Sequence, residues 1–216
     1  MSQRFLNLIR SGETAEVAAA AEEDPSLIAC RDAQGVSAFL WSIYTGQPMI
    51  RDFLLTHLTG LDIFEAAALG DCGRLEPLLK QDRQLVDQTS ADGWSPLHLA
   101  AAFGGPQATA LLLENGAQVS RLSSNPMHNQ PLHACLALSR DCETARILIV
   151  HGADVNIAQA RGYTPLHQVA AAGLEDLTRI LLQAGADPGK LCDQGKTPAD
   201  YARERHHETV AQLLSS

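Results

Sequence analysis

The feature that most restricts this chain is a short motif that returns at an almost fixed distance. Ser95-Pro96-Leu97-His98-Leu99-Ala100-Ala101 comes back as Gln130-Pro131-Leu132-His133-Ala134-Cys135, and again as Thr164-Pro165-Leu166-His167-Gln168-Val169-Ala170. A fourth copy, Thr197-Pro198-Ala199-Asp200-Tyr201-Ala202, keeps Thr-Pro and loses the His. The prolines are 35, 34 and 33 residues apart. In phase with them runs a second signature, Asn115-Gly116-Ala117, His151-Gly152-Ala153-Asp154 and Ala184-Gly185-Ala186-Asp187. Two motifs held in register at such a period mark an array of equivalent small units, each too small to bury its apolar face alone.

Each unit can be read from its residues. Pro96 sets φ near −65° and has no N–H to lose, so it suits the first turn of a helix. Leu97, Leu99, Ala100 and Ala101 give that helix a small-residue side for close stacking. Gly104-Gly105 breaks it, Pro106 starts a second helix, and Gly116 ends that helix in the left-handed region. Beyond it, Asp92-Gly93, Arg161-Gly162 and Gln194-Gly195 predict projecting β-type hairpin turns. The connection 121–129 lacks the glycine, and the spacing makes it a longer finger.

These motifs resemble the ankyrin-repeat family, whose period is about 33 residues around a T-P-L-H-x-A core. The resemblance implies an all-α solenoid of stacked helix-turn-helix units joined by short β-hairpin turns, in one domain over 1–216. Within it, 1–34 reads as an N-terminal cap whose helix pair breaks at Gly12. Residues 35–61 read as a truncated repeat, 62–92 as a divergent repeat with Asp62 in the proline position, 93–191 as three regular repeats and 192–216 as a C-terminal cap. The truncation is predicted because Ser37-Ala38-Phe39 precedes the Asp62 segment by too few residues for a full finger.

The family resemblance also assigns roles. Ser95, His98, Thr164 and His167 are expected to hydrogen-bond within and between repeats; His133 fits that pattern poorly, because Gln130 replaces the hydroxyl residue. Partner contact is expected along hairpin tips and first helices, which singles out Tyr44, Leu69, Trp94, Phe103, Met127, Leu138 and Tyr163. Aromatic residues are only 5% of the chain, and interface hot spots are enriched in Trp and Tyr. A protein or peptide is therefore the expected partner of a monomeric, non-catalytic scaffold, with an inhibitory or self-associating structural role as the alternative.

Charge and chemistry narrow the other classes. The net charge is −9, and residues 1–92 hold 14 acidic against 7 basic residues. No Lys/Arg cluster offers the phosphate contacts that nucleic-acid binding needs, so nucleic acid and anionic membranes are not expected partners, and a basic protein surface is. Five scattered cysteines without a C-x-x-C pair fit reduced thiols in the cytoplasm. No membrane span, nucleotide loop or nucleophile motif appears, and no cofactor, metal or catalytic residue is expected. Cys192 with His206-His207 could suggest a metal site and Cys135 with Cys142 a redox pair. Adjacent histidines on a helix point apart, however, and buried free thiols are the ordinary state.

Overall fold

The computed structural model describes residues 1–215, so Ser216 of the C-terminal cap lies outside the description. Fourteen helices, paired in order, form seven units among the described residues. They are α1 Ser2–Ser11 with α2 Thr14–Glu23, α3 Ala38–Tyr44 with α4 Pro48–His57, and α5 Ile63–Leu69 with α6 Cys72–Gln81. Then come α7 Pro96–Leu99 with α8 Gly105–Glu114, and α9 Pro131–Ala137 with α10 Cys142–Val150. The last two units are α11 Pro165–Ala172 with α12 Glu175–Gln183, and α13 Pro198–Glu204 with α14 Glu208–Leu213.

First helices stack on first helices and second on second. α1, α3, α5, α7, α9, α11 and α13 form one layer, and the even-numbered helices from α2 to α14 form the other. The shared core is mostly Leu and Ala, including Leu75, Leu97, Leu112, Leu132, Leu148, Leu166 and Leu181. Ala66, Ala67, Ala100 and Ala101 are fully buried where first helices meet. Small side chains there let the helix backbones approach closely, which explains why so few aromatics suffice.

Left-handed residues cut the units at two recurring places. Gly46, Gly70, Gly105 and Gly173 take positive φ after the first helix, and Gly116, Gly152 and Gly185 after the second. Arg140 (φ 54°) and His206 (φ 61°) occupy the first of these positions in the α9 and α13 units without being glycine.

The fingers differ from the expected hairpins. Among the described residues the one β-bridge is Arg31 with Ser37. The four later fingers instead close over tight turns, with cross-loop backbone N–H···O bonds from Ser90 to Trp94, Ser123 to Asn129, Gln159 to Tyr163 and Cys192 to Lys196. Such a loop is too short and too turned to form a ladder. In the long finger, His128 adopts φ 48°, taking the place that Gly93, Gly162 and Gly195 fill elsewhere. The extra length is real: Gly116 to Pro131 is 15 positions, where Gly152 to Pro165 and Gly185 to Pro198 are 13.

Asp62 needs a second correction. It is the N-cap of α5, not the proline equivalent; its carboxylate accepts from the backbone N–H of Phe64 and Glu65, and Glu65 accepts in return from Asp62 N–H. Ile63 therefore sits where Pro96 sits, and Glu65 where His98 sits. Between α4 and α5 only 58–62 intervene, and the row of fingers has a notch there.

Candidate functional site

The Ser/Thr-x-x-His boxes are built alike in two units. Ser95 N–H and Ser95 Oγ–H donate to His98 Nδ1 at 3.3 and 2.8 Å. With Nδ1 accepting, the proton resides on Nε2, which donates to the Asn129 carbonyl at 2.9 Å in the next finger. Thr164 and His167 repeat this, with Nε2 donating to the Lys196 carbonyl at 3.1 Å. These histidines are structural clasps between units. Burial pushes the His98 imidazole down to about 4 and also lowers His167.

Unit α9–α10 has a defective clasp. Gln130 offers no hydroxyl, and its N–H reaches His133 Nδ1 at only 3.5 Å, while its side-chain amide donates to the Asp154 carbonyl. Among the described residues, the buried His133 Nε2 and Gln130 Oε1 find no partner at good hydrogen-bonding geometry. Burial again drives the imidazole down to about 4, only partly offset by the backbone of Tyr163 and Ile157. In the outermost boxes carboxylates replace the imidazole. Glu65 does so above, and Asp200 accepts from Thr197 N–H and Oγ–H at 2.9 and 2.7 Å.

The residues singled out for partner contact all retain exposure. Met127 and Leu138 are 52% and 48% exposed, and Tyr44, Leu69, Trp94, Phe103 and Tyr163 are half-buried. Tyr44 ends α3, Leu69 ends α5, and Leu138 follows α9 directly. Phe103 lies in a π-type turn, Ala100–Gly104, that continues α7.

Three local networks hold these side chains. The Tyr44 ring stacks on Phe103 with centroids 5.4 Å apart, and Trp41 meets Tyr44 edge-on at 5.9 Å. Trp41 in turn donates its indole N–H to Asp32 at 2.8 Å beneath the Arg10 guanidinium, 3.8 Å from the ring centre. Trp94 packs on His98 at 5.8 Å, and Tyr163 on His167 and Tyr201 at 5.4 and 4.9 Å. Sequence reasoning missed Trp41 and Arg10, since neither falls on a tip position; Asp32 and Tyr44 hold them together. The cleft beside Phe103, about 340 Å³, is lined also by Ser42, Pro48, Arg51 and Leu69.

Acidic groups near this face are largely occupied. Asp32 is engaged by Trp41 and Arg10, Asp62 and Glu65 by Arg31 at 2.9 and 3.8 Å, and Asp92 by Tyr44 and Ser90. The exposed, unpaired acids Glu16, Glu22 and Glu23 stand on α2 instead.

Reactive chemistry is muted. Among the described residues no group of three or more His, Cys, Asp or Glu could hold a metal ion, so Cys192, His206 and His207 do not converge. All five cysteines are free thiols. Burial raises the Cys135 thiol to about 11, which keeps it protonated at neutral pH. Among the described residues no helix is long and apolar enough to cross a membrane.

Comparison with known proteins places these observations. A family model described as ankyrin repeats (3 copies) matches residues 63–159 and 132–216. The bovine cyclin-dependent kinase 4 inhibitor B is 35% identical over 123 residues, covering 56% of this chain and 91% of the inhibitor. Mouse ankyrin repeat and SOCS box protein 16 is 41% identical over 115 residues, 50% of this chain and 25% of that protein. A Caenorhabditis elegans transient receptor potential cation channel subfamily A member 1 homolog is 32% identical over 152 residues, 70% of this chain and 12% of the channel. The chain thus spans a quarter or less of the length of the last two.

Proposed function

Because the chain belongs to the ankyrin-repeat family, whose members generally mediate protein–protein interaction, we propose that it is a non-catalytic scaffold that takes a protein or peptide along its fingers and first helices. The observation that carries this reading is the exposure of Met127 and Leu138 beside the half-buried Tyr44, Leu69, Trp94, Phe103 and Tyr163. Large apolar groups left in water at neighbouring places on one face are what an interface core requires. The free thiols fit work in the reducing cytoplasm. A monomer is expected, and a mass measurement across concentration tests it.

A second reading is inhibitory: the scaffold would act by covering a partner enzyme. It is favoured by the near-complete overlap with a protein named as a kinase inhibitor.

The test is affinity capture from the native host with mass spectrometry, using wild type, Met127→Glu/Leu138→Glu and the triple Trp94→Ala/Phe103→Ala/Tyr163→Ala. The first variant alters exposed positions only, so its fold should persist. Retention of every captured protein by both variants, with the fold intact, sinks the groove reading. A captured enzyme whose activity falls on adding the pure protein supports the inhibitory form.

A further inference from the structure

A second docking surface lies away from the fingers, on the first unit. α1 and α2 run side by side, and along one side they present matching stripes at helical spacing, Arg4, Phe5 and Leu8 from α1 and Glu16, Ala20 and Glu23 from α2. Between them, with Leu27 at the base, is a cleft of about 370 Å³. Each helix has ten residues, so the groove is about 15 Å long, close to three turns of a helix laid in it.

The walls and rim differ in chemistry. Leu8, Ala19 and Ala20 give the cleft its accessible apolar wall, with Phe5 and Leu27 buried beneath it, and the small alanines let another backbone come near. Glu16 and Glu23 stand seven positions apart on α2, two turns along the same side, and both are exposed. Among the described residues neither takes part in an ion pair, whereas Asp32, Asp62 and Asp92 near the fingers are already engaged. Arg4 and the Met1 ammonium are the cations among the lining residues, set against Glu16, Glu23 and Asp24.

We propose that the α1–α2 cleft docks an amphipathic helix of a partner protein whose apolar stripe is flanked by Lys or Arg. The apolar stripe fills the cleft over Leu8, Ala19 and Ala20, and the basic flank pairs with Glu16 and Glu23. Apolar burial supplies affinity, while the acidic rim selects the charge of the partner and speeds its arrival, more so at low salt. This surface is separate from the one proposed for the fingers, so the two can be disabled independently.

The probe is a fluorescein-labelled helical peptide with leucines at a and d heptad positions and lysines flanking them, read by anisotropy. Its twin with glutamates for the lysines is the control. Wild type is expected to bind the basic peptide at least tenfold more tightly than the acidic one. Glu16→Lys/Glu23→Lys should weaken the basic peptide roughly tenfold, and Ala20→Arg, which plugs the cleft, should weaken both peptides. Met127→Glu/Leu138→Glu should change neither. Amide chemical shifts should move in residues 1–27. Thermal melts establish that each variant is folded. The proposal is overturned if wild type does not bind, if the charge-reversed protein binds the basic peptide as wild type does, or if the shifts map to the fingers. Concentration-dependent dimers abolished by Ala20→Arg would also overturn it, assigning the cleft to a second copy of the chain.

Discussion

The Tyr44 hydroxyl donates to the Asp92 carboxylate at 2.8 Å across an entire intervening unit. Tyr44 closes α3 and Asp92 sits in the finger before α7, so the bond passes over the notch at 58–62. Units in a solenoid ordinarily touch only their neighbours. Here the second unit grips the fourth, through this bond and the Tyr44–Phe103 stack. Burial first and the Asp92 charge second hold the phenol above its ordinary range, so it stays protonated and a donor.

Tyr44→Phe removes that bond but keeps the ring stack. A half-buried bond to a carboxylate contributes about 1–2 kcal/mol, and the variant should lose that much in urea denaturation. Asp92→Asn should lose less than additively when combined with it. A double-mutant cycle with no coupling would contradict the assignment.

Gly70 and Gly104 meet backbone to backbone. A Cβ on Gly104 would press into the Ala67 carbonyl, and one on Gly70 into the Gly104 carbonyl. Gly104→Ala should therefore destabilise by about 2 kcal/mol or more, the scale of overpacking where neither partner can move. The midpoint of thermal unfolding checks it.

Left-handed Arg140 and His128 offer the opposite change. An L-residue there costs about 1–2 kcal/mol relative to helical backbone, and glycine escapes the steric part. Arg140→Gly and His128→Gly should each stabilise by about 0.5–1 kcal/mol after the flexibility glycine adds to the unfolded chain. Among the described residues neither makes a side-chain ion pair. Denaturant midpoints read the gain.

The clasp histidines make the array acid-sensitive. His98 and His133 are held near 4 by burial, against about 6.5 in the unfolded chain. The unfolded state therefore binds more protons between these values, and stability falls as pH drops from about 6.5 to 4. Below 4 the folded form protonates too, and the slope should flatten. Replacing His98 by Gln should shallow the fall between pH 6.5 and 4; an unchanged slope would remove His98 from the account.

Gln130→Thr should restore the missing cap. A Thr hydroxyl could accept from the His133 backbone N–H as Thr164 does for His167, and such caps contribute about 1 kcal/mol. Hydrogen exchange should slow at the start of α9, although the Asp154 carbonyl loses its amide donor.

Much of this architecture was legible in the residues because its signals are local. Pro96, Pro131 and Pro165 mark helix starts by fixed φ, and Gly116, Gly152 and Gly185 mark ends by positive φ. The clasps at Ser95 and Thr164 were implied by the family resemblance, whose motif sets hydroxyl and imidazole three residues apart. The register of Asp62 was misread by one place because an Asp cap and a Pro start are adjacent and only one is present. The π-type turn at Ala100–Gly104 had no local signal, since Ala-rich sequence suits either winding. Trp41 and Arg10 join the network through Asp32, which lies 22 residues from Arg10, and that meeting is a tertiary fact. Exposure at Met127 and Leu138 likewise depends on what the neighbouring finger covers.

The fingers after the notch are tied to one another. Ser124 N–H donates to the Gly93 carbonyl at 2.9 Å, Ala160 N–H to Met127 at 3.0 Å and Asp193 N–H to Arg161 at 3.1 Å. Backbone bonds of this kind join four projecting loops into a single comb whose teeth cannot splay separately. A chain that seats against one tooth finds the spacing of the next already set. Much of the ordering that association would otherwise demand is then complete before contact, and lengthening one tooth, as at 121–129, shifts the alignment of everything bound beyond it.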